Sequence, residues 1–263
     1  MKLNLIEWDK KTNKLQVMVS GADDAFMNLV RRFSAEEVPT LAIEDVELRD
    51  NSSALYDEIV AHRLGLLPIK TDAKSYVLKE DCTCKGVGCA KCELKITLKA
   101  AKKGIVTASE AKSQDPKCTF VYEDMPIVKL ATKQKIEFEA TAVLGKGKTH
   151  AKWATGLVFY RKDVSVKAED KVSEEQRARI QSACGDLVSI TAGKVKVEKE
   201  KLAVSPRCDA CCEALEEAGA TVSDTEDYVL TVESWGQLSC KEILEQAAEI
   251  IIQKVDALEE QIK

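Results

Sequence analysis

The chain has 263 residues, of which 45% are hydrophobic and 32% are charged, and its formal net charge is -5. This balance is typical of a folded globular protein rather than a disordered one. No apolar run approaches the ~20 residues that span a bilayer, and the N-terminus MKLNLIEWDK lacks the apolar core of a signal peptide, so we expect a cytoplasmic protein without membrane contacts. The sequence has no long basic block, which argues against direct nucleic-acid binding.

The N-terminal region is predicted to form a hairpin and two helices. Apolar residues alternate in LNLIEW and KLQVMV on either side of the polar turn DKKTNK. Between Asp23 and the stop at Pro39, apolar residues recur at helical spacing: Phe26, Leu29, Val30 and Phe33. A second, short helix is predicted from Ser53 to Leu64, with Gly65 as its C-cap. The apolar face of the first helix needs a partner.

Four of the ten cysteines lie close together in CTCKGVGCAKC, residues 82–92. They are Cys82, Cys84, Cys89 and Cys92. Clustered cysteines in a cytoplasmic protein favour metal binding. Four thiolates can surround one zinc ion at about 2.3 Å per bond, which leaves no open position for catalysis. We therefore predict a structural zinc site in which Gly86 and Gly88 help the backbone to turn; free or disulfide-paired cysteines are the alternative.

Two strands are predicted beyond this loop, KIEFEATA and GLVFYRK. The first places three apolar residues on one face: Ile136, Phe138 and Ala140. Between the strands, AVLGKGKT (142–149) resembles a phosphate-binding loop, but HAKWATGLVFY after it is a poor helix, so we expect no ATP site. The two histidines, His62 and His150, belong to no recognisable catalytic triad, and we predict no catalytic residues.

A separate small module is predicted after Asp163. Ser173 and Gln176 form a capping box for a helix. The apolar spacing extends this helix through Ile180, Cys184, Leu187 and Val188. A second helix, DACCEALEEAGA, ends at Gly219.

This module contains a second set of four cysteines: Cys184, Cys208, Cys211 and Cys212. Their spacing resembles part of an iron–sulfur ligand set, but the expected next ligand position holds Ala214. Cys212 could replace it only if the backbone left a regular helix, because adjacent helical side chains diverge by ~100°. An iron–sulfur cluster, a disulfide and the free thiols of a vestigial site all stay open.

The C-terminal region is predicted to be a strand, DYVLTVES, and a long helix. Ser239 and Glu242 form a capping box at the start of that helix. An apolar stripe follows at alternating spacings of three and four residues: Leu244, Ala248, Ile251, Val255, Leu258 and Ile262. The stripe is typical of a helix that binds a partner; an ordinary core-facing helix is the alternative. From the residues alone, we predict a metal-stabilised scaffold that binds partners, with an independent iron–sulfur redox protein as the alternative.

Several of these stretches together resemble the D-subunit family of archaeal RNA polymerase, the counterparts of the bacterial α subunit and of the third-largest subunit of eukaryotic RNA polymerase II. The most specific parts are residues 26–72, the four-cysteine loop and GKGKTHAKWATG (145–156). The final strand and helix also match, so the resemblance covers essentially the whole chain.

The resemblance implies an α+β protein with three domains. Residues 1–44 and 223–263 would form a discontinuous dimerisation domain of the α-subunit type. Residues 45–164 would form an inserted, β-rich platform domain that contains the four-cysteine zinc loop. Residues 165–222 would form a small ferredoxin-like α+β domain, which in many relatives holds one or two [4Fe-4S] clusters.

The resemblance also implies a function in transcription. The chain would be a non-catalytic assembly subunit that forms a heterodimer with subunit L and docks subunits N and P and the large catalytic subunits. The heterodimer interface would use the two apolar helices, through Phe26, Leu29, Val30, Phe33, Leu244, Ala248, Ile251, Val255 and Leu258.

Overall fold

A computed structural model describes residues 1–167, 172–191 and 194–262. Over these residues the chain divides into two units. The first unit combines Met1–Leu29 with Val158–Val232, and the second unit combines Val30–Leu157 with Glu233–Lys263. Lys263, the last residue of the predicted C-terminal helix, lies outside the described residues. None of the helices in the described ranges is long and apolar enough to cross a membrane.

The described residues form helices and several sheets. In chain order the strands are β1 (Lys2–Asp9), β2 (Lys14–Ser20), β3 (Pro39–Asn51), β4 (Glu93–Ala100), β5 (Gly104–Thr107), β6 (Lys112–Ser113), β7 (Pro126–Leu130), β8 (Ile136–Lys146), β9 (Gly156–Lys167), β10 (Val188–Thr191), β11 (Lys194–Val197) and β12 (Thr221–Ser234). The α-helices are α1 (Asp24–Arg32), α2 (Asp57–Gly65), α3 (Glu174–Cys184), α4 (Lys199–Val204), α5 (Cys208–Glu217) and α6 (Cys240–Ile262). The mixed character predicted from the sequence is confirmed.

A four-stranded sheet with the order β1, β2, β12, β9 forms the first unit's main layer. The predicted hairpin is confirmed, because β1 and β2 pair antiparallel, with a register shift between Leu5 and Glu7. β9 and β12 contain the predicted strands GLVFYRK and DYVLTVES. The buried side chain of Gln16 donates a hydrogen bond to Thr231 Oγ1 at 3.2 Å and so links β2 to β12.

The small module in the first unit has its own apolar core. Helices α3 and α5 pack together beside α4 and the antiparallel β10–β11 pair. The core consists of Ile180, Cys184, Leu187, Val188, Leu202, Cys208, Cys211, Leu215 and Ala218. The predicted capping box is confirmed: Ser173 Oγ accepts a hydrogen bond from the Gln176 N–H at 3.2 Å, and Gln176 Oε1 accepts one from the Ser173 N–H at 2.8 Å.

The predicted C-terminal extent of this first helix of the module is wrong. Helix α3 ends at Cys184, because Gly185 takes a φ of 59°, outside the helical region. Leu187 then lies in a short 3-10 turn, and Val188 begins β10. Both residues still reach the core, so their apolar spacing reflects burial without a continuous helix.

The second unit is built on a sheet with the order β3, β8, β4, β6. Strict alternation explains why β4 is a half-buried strand: Leu94, Ile96 and Leu98 are buried, and the residues between them point away from the core. In β8 the predicted apolar face is confirmed, since Ile136, Phe138 and Ala140 are buried. Val60 and Leu64 of α2 complete this core.

Helix α2 begins at Asp57, four residues later than predicted from Ser53. Ser53 has a capping side chain, but its N–H and hydroxyl both donate hydrogen bonds to Asn51 Oδ1, at 3.1 Å and 2.7 Å. These local hydrogen bonds form a turn at Ser53 instead of capping a helix. Serine and asparagine side chains often bond to the nearby backbone in this way and so compete with helix formation.

The predicted first helix is interrupted in the structure. Helix α1 ends at Arg32, and Phe33–Glu37 form one π-helical turn, in which the Val38 N–H donates to Phe33 O at 3.3 Å. In the second unit this π-helical turn packs against α6. The predicted capping box of α6 is confirmed, because the Glu242 N–H donates to Ser239 Oγ at 3.3 Å and Glu242 Oε2 accepts from the Ser239 N–H at 2.8 Å.

Candidate metal centre and partner-binding surfaces

The four cysteines of residues 82–92 meet in the loop that leads into β4. Their Sγ atoms all lie within 4.8 Å of one another. Individual Sγ–Sγ distances are 3.5 Å for Cys82 and Cys89, 3.6 Å for Cys84 and Cys92, and 3.8 Å for Cys89 and Cys92. A tetrahedral ion with 2.3 Å bonds to sulfur requires edges of about 3.8 Å. The sulfur positions therefore fit a metal ion such as zinc.

The local sequence explains how one short loop brings these sulfurs together. Lys85, Gly86 and Gly88 all have positive φ angles, of 54°, 83° and 99°, which reverse the chain tightly. The turns are held by backbone hydrogen bonds from Lys85 N–H to Cys82 O at 2.9 Å and from Cys92 N–H to Cys89 O at 3.0 Å. These turns and backbone hydrogen bonds fix the loop so that its four thiols lie close to one another.

Two thiols of this loop have pKa values shifted in opposite directions. Hydrogen bonds from the Gly88 backbone and from the Cys82 thiol lower the pKa of Cys84 to about 6. Burial raises the pKa of Cys92 to about 12. A bound cation would hold all four groups as thiolates and offset the cost of a buried charge, so metal binding would be coupled to folding of this loop.

The second cysteine set takes a different arrangement. Cys184 of α3 and Cys211 of α5 are joined by a disulfide, with their Cα atoms 4.6 Å apart. The Sγ atoms of Cys208 and Cys212 lie 4.0 Å apart on the same helix. Ala214 belongs to the same unbroken helix, so the backbone does not bend to bring Cys212 into the missing ligand position.

Only the first set gathers three or more metal-ligand side chains among the residues that the structure describes. Of the possibilities that the sequence left open for the second set, the structure has a disulfide between Cys184 and Cys211 and free thiols at Cys208 and Cys212. Cysteines in a disulfide offer no thiolate to iron.

The predicted interface residues of the first helix lie at its surface. Phe26 is exposed, and Leu29 and Val30 are half-buried. Met27 is the residue of α1 that is buried. Phe33 is half-buried in the π-helical turn, not in α1. None of the four predicted interface residues is thus fully buried within this chain.

Helix α6 shows the same division between a core-facing side and an outer apolar side. Ile243 and Ala247 are buried. Leu244 and Ile251 are half-buried, and Ala248 is exposed. Farther along, apolar residues are exposed in the isolated chain: Ile252 by 59%, Val255 by 59%, Leu258 by 57% and Ile262 by 77%. From residue 252 onward every described residue of α6 is exposed, so the described part of the chain leaves the apolar side chains of the distal half largely open to solvent.

The stretch that resembles a phosphate-binding loop has a structural explanation. Strand β8 is followed by a turn, a three-residue 3-10 helix (Ala151–Trp153) and β9, which is not the strand–loop–helix arrangement that holds nucleotide phosphates. Gly145 lies against the ring of buried Trp153, whose Cε2 would be 2.3 Å from an added Cβ. Trp153 Nε1 donates to Val143 O at 3.2 Å. Gly145 is thus required by its packing against Trp153, not by phosphate binding.

Comparison with known proteins identifies the family. Residues 43–156 match the family model described as the RNA polymerase Rpb3/RpoA insert domain. The chain is 34% identical over 268 residues to the DNA-directed RNA polymerase subunit Rpo3 of Methanosphaera stadtmanae, which covers 97% of this chain and 96% of that protein. The chain belongs to the Rpo3 family. The Rpo3 proteins of Pyrococcus horikoshii and Methanosarcina acetivorans are 36% and 32% identical, over 94% and 98% of this chain and 93% and 97% of theirs.

The Rpo3 assignment confirms the expected family of archaeal RNA polymerase subunits. The matched insert domain includes α2, the four-cysteine loop and the sheet built on β3, β8 and β4. The candidate metal centre of this Rpo3-family chain therefore lies in the insert domain, whereas α1 and α6 lie outside it.

Proposed function

We propose that this chain is the non-catalytic assembly subunit of an archaeal DNA-dependent RNA polymerase and acts in the cytoplasm. Membership of the Rpo3 family supports this proposal. The single observation that carries it furthest is the apolar distal half of α6, where Val255 and Leu258 are more than half exposed. A long apolar helix face without cover is typical of a subunit interface.

The partner proposed for this face is subunit L, in a one-to-one heterodimer. The interface would combine the outer side of α6 with Phe26, Leu29, Val30 and Phe33. In support, the residues that fill the core of the chain are different ones, Met27, Ile243 and Ala247. Residues 1–44 and 223–263 would then form the dimerisation domain.

The insert domain is proposed to dock the other subunits. Residues 45–164 would form a platform for subunits N and P and for the large catalytic subunits. A zinc ion bound by Cys82, Cys84, Cys89 and Cys92 would hold the loop before β4 in one conformation. The near-tetrahedral sulfur spacing supports this choice. Residues 165–222 would form the ferredoxin-like domain.

The alternative of an independent iron–sulfur redox protein finds no support. The related proteins are named as RNA polymerase subunits. In the described residues, the second cysteine set contains a disulfide between Cys184 and Cys211 and gathers no third sulfur ligand.

Co-expression with the cognate subunit L tests the proposal. We expect a stable heterodimer of one copy each, measured by size-exclusion chromatography with light scattering. As the control for nonspecific association, polymerase subunit N is co-expressed with subunit L in the absence of this chain. A chain that elutes apart from subunit L at micromolar concentrations would contradict the proposed function.

A further inference from the structure

Three lysines from two distant parts of the second unit converge on one carboxylate. Glu37 lies in the π-helical turn, and its side chain is 11% exposed. The Nζ atoms of Lys254, Lys146 and Lys148 lie 3.1, 3.5 and 3.9 Å from its carboxylate oxygens. Lys254 comes from α6, and the other two come from the GKGKT stretch, so this basic cluster joins α6 to the end of β8 and the turn that follows it.

The glycines of the sequence GKGKT explain how two of these lysines come close to Glu37. Gly147 lies so close to the π-helical turn that an added Cβ would be 2.5 Å from Ala35 O. The Lys148 N–H donates to Glu36 O at 3.0 Å. Gly145 is held against Trp153 on the other side. Gly147 therefore allows the close backbone approach, and Lys146 and Lys148, on either side of it, reach Glu37.

The cluster has more positive than negative charge. Glu36 is paired with Arg32 at 3.8 Å, which leaves one carboxylate, Glu37, against three ammonium groups. Burial raises the pKa of Glu37, but the hydrogen bond and charge of Lys254 and the charges of the other two lysines outweigh it and hold the pKa below its usual value. The carboxylate is thus ionised at neutral pH, and a surplus of about two positive charges remains.

The surplus charge faces solvent next to the apolar side of α6. The side chains of Lys148 and Lys254 are 66% and 50% exposed, although the carboxylate beneath them is nearly covered. The ammonium group of Lys254 also lies 4.9 Å from the ring centroid of Phe33, one of the candidate interface residues. On α6, Lys254 lies on the same face as half-buried Ile251 and exposed Leu258, which are three residues before it and four residues after it.

We propose that Lys148 and Lys254 form an electrostatic docking point that binds an acidic side chain of the subunit packed against α6. This inference rests on the proposed function, since it assigns a polar contact to the same interface. Charge complementarity supports an acidic group. A protein is favoured over nucleic acid because the cluster is small and borders aliphatic side chains, which a partner helix buries and a phosphate backbone does not.

The test compares two charge reversals in the heterodimer with the cognate subunit L. Lys148→Glu changes the cluster, and Lys102→Glu makes the same change of net charge at an exposed bend in the same unit. At low salt we expect Lys148→Glu to weaken heterodimer affinity by about five- to tenfold. Lys102→Glu should leave it unchanged. Near 1 M salt, where the Debye length is about 3 Å, the difference should vanish.

Two further variants make the result decisive. Lys148→Gln, which adds no repulsion, should give a smaller loss in the same direction. A charge swap, in which one acidic residue of subunit L is changed to lysine, should restore the affinity of Lys148→Glu and thereby identify the bound group. Both results would support the docking point.

The inference is overturned if Lys148→Glu binds subunit L as tightly as Lys102→Glu does, or if its loss of affinity is the same in high salt. It is equally overturned if Lys148→Glu abolishes binding to duplex DNA while the heterodimer is unaffected. A wild-type chain that forms no heterodimer refutes the proposed function instead, so the two failures can be told apart.

Discussion

Replacing Val255 with aspartate should break the heterodimer without unfolding the chain. Val255 is 59% exposed in the isolated chain, so its substitution there should change the unfolding free energy by less than about 0.5 kcal/mol. In the complex, the change removes the burial of the exposed part of the side chain, worth about 1 kcal/mol. It also places an unpaired carboxylate in an apolar contact, which costs at least about 2 kcal/mol more. Together these terms weaken binding by about 100-fold or more.

The assay is a titration of labelled subunit L with each variant, together with thermal unfolding of the variant alone. Gln253→Glu is the matched control, because it adds the same charge two residues away on a different side of the exposed helix. It should bind within about twofold of the wild type. If Val255→Asp binds within threefold of the control, the outer side of α6 is not the interface and the reasoning from its exposure is wrong.

Three further changes test other parts of the structure. Cys84→Ser should lower the zinc content measured per chain and the melting temperature, since metal binding contributes to folding; unchanged metal content would exclude the site. Glu37→Gln should lower the unfolding free energy at neutral pH, and the difference should shrink as the pH falls through the lowered pKa of the carboxylate, because the wild type then loses the same charge; a pH-independent difference in denaturant titrations would contradict this. Gly145→Ala should cost about 1–3 kcal/mol, because its Cβ would clash with the ring of Trp153. Gly65→Ala, whose Cβ would be 3.6 Å from its nearest neighbour, should be neutral or stabilising, and equal effects of the two would refute the packing argument.

Sequence patterns correctly predicted the elements that depend on interactions between residues close in sequence. Alternation placed Ile136 and Phe138 on the buried face of β8, and side-chain chemistry located the capping box at Ser173. The spacing of the first cysteine set predicted a cluster because one short loop contains all four ligands. In each case the residues that interact are close in sequence.

Features that depend on tertiary structure could not be predicted in this way. Phe33 leaves α1 because a π-helical turn begins there, and within α1 the buried residue is Met27, not one of the predicted apolar residues. The disulfide joins Cys184 to Cys211 across two helices, and no spacing specifies that pair. The cluster around Glu37 unites three segments of the chain, which a sequence pattern cannot bring together.

Reconstitution of the polymerase from separately purified subunits tests whether this chain is required for assembly. The quantity to measure is RNA synthesis on a DNA template by the cognate subunits, with this chain present, omitted, or replaced by Val255→Asp. We expect assembly and synthesis only with the wild-type chain, and no synthesis from the chain by itself. Full assembly and full activity without it would contradict the proposal that it is the assembly subunit.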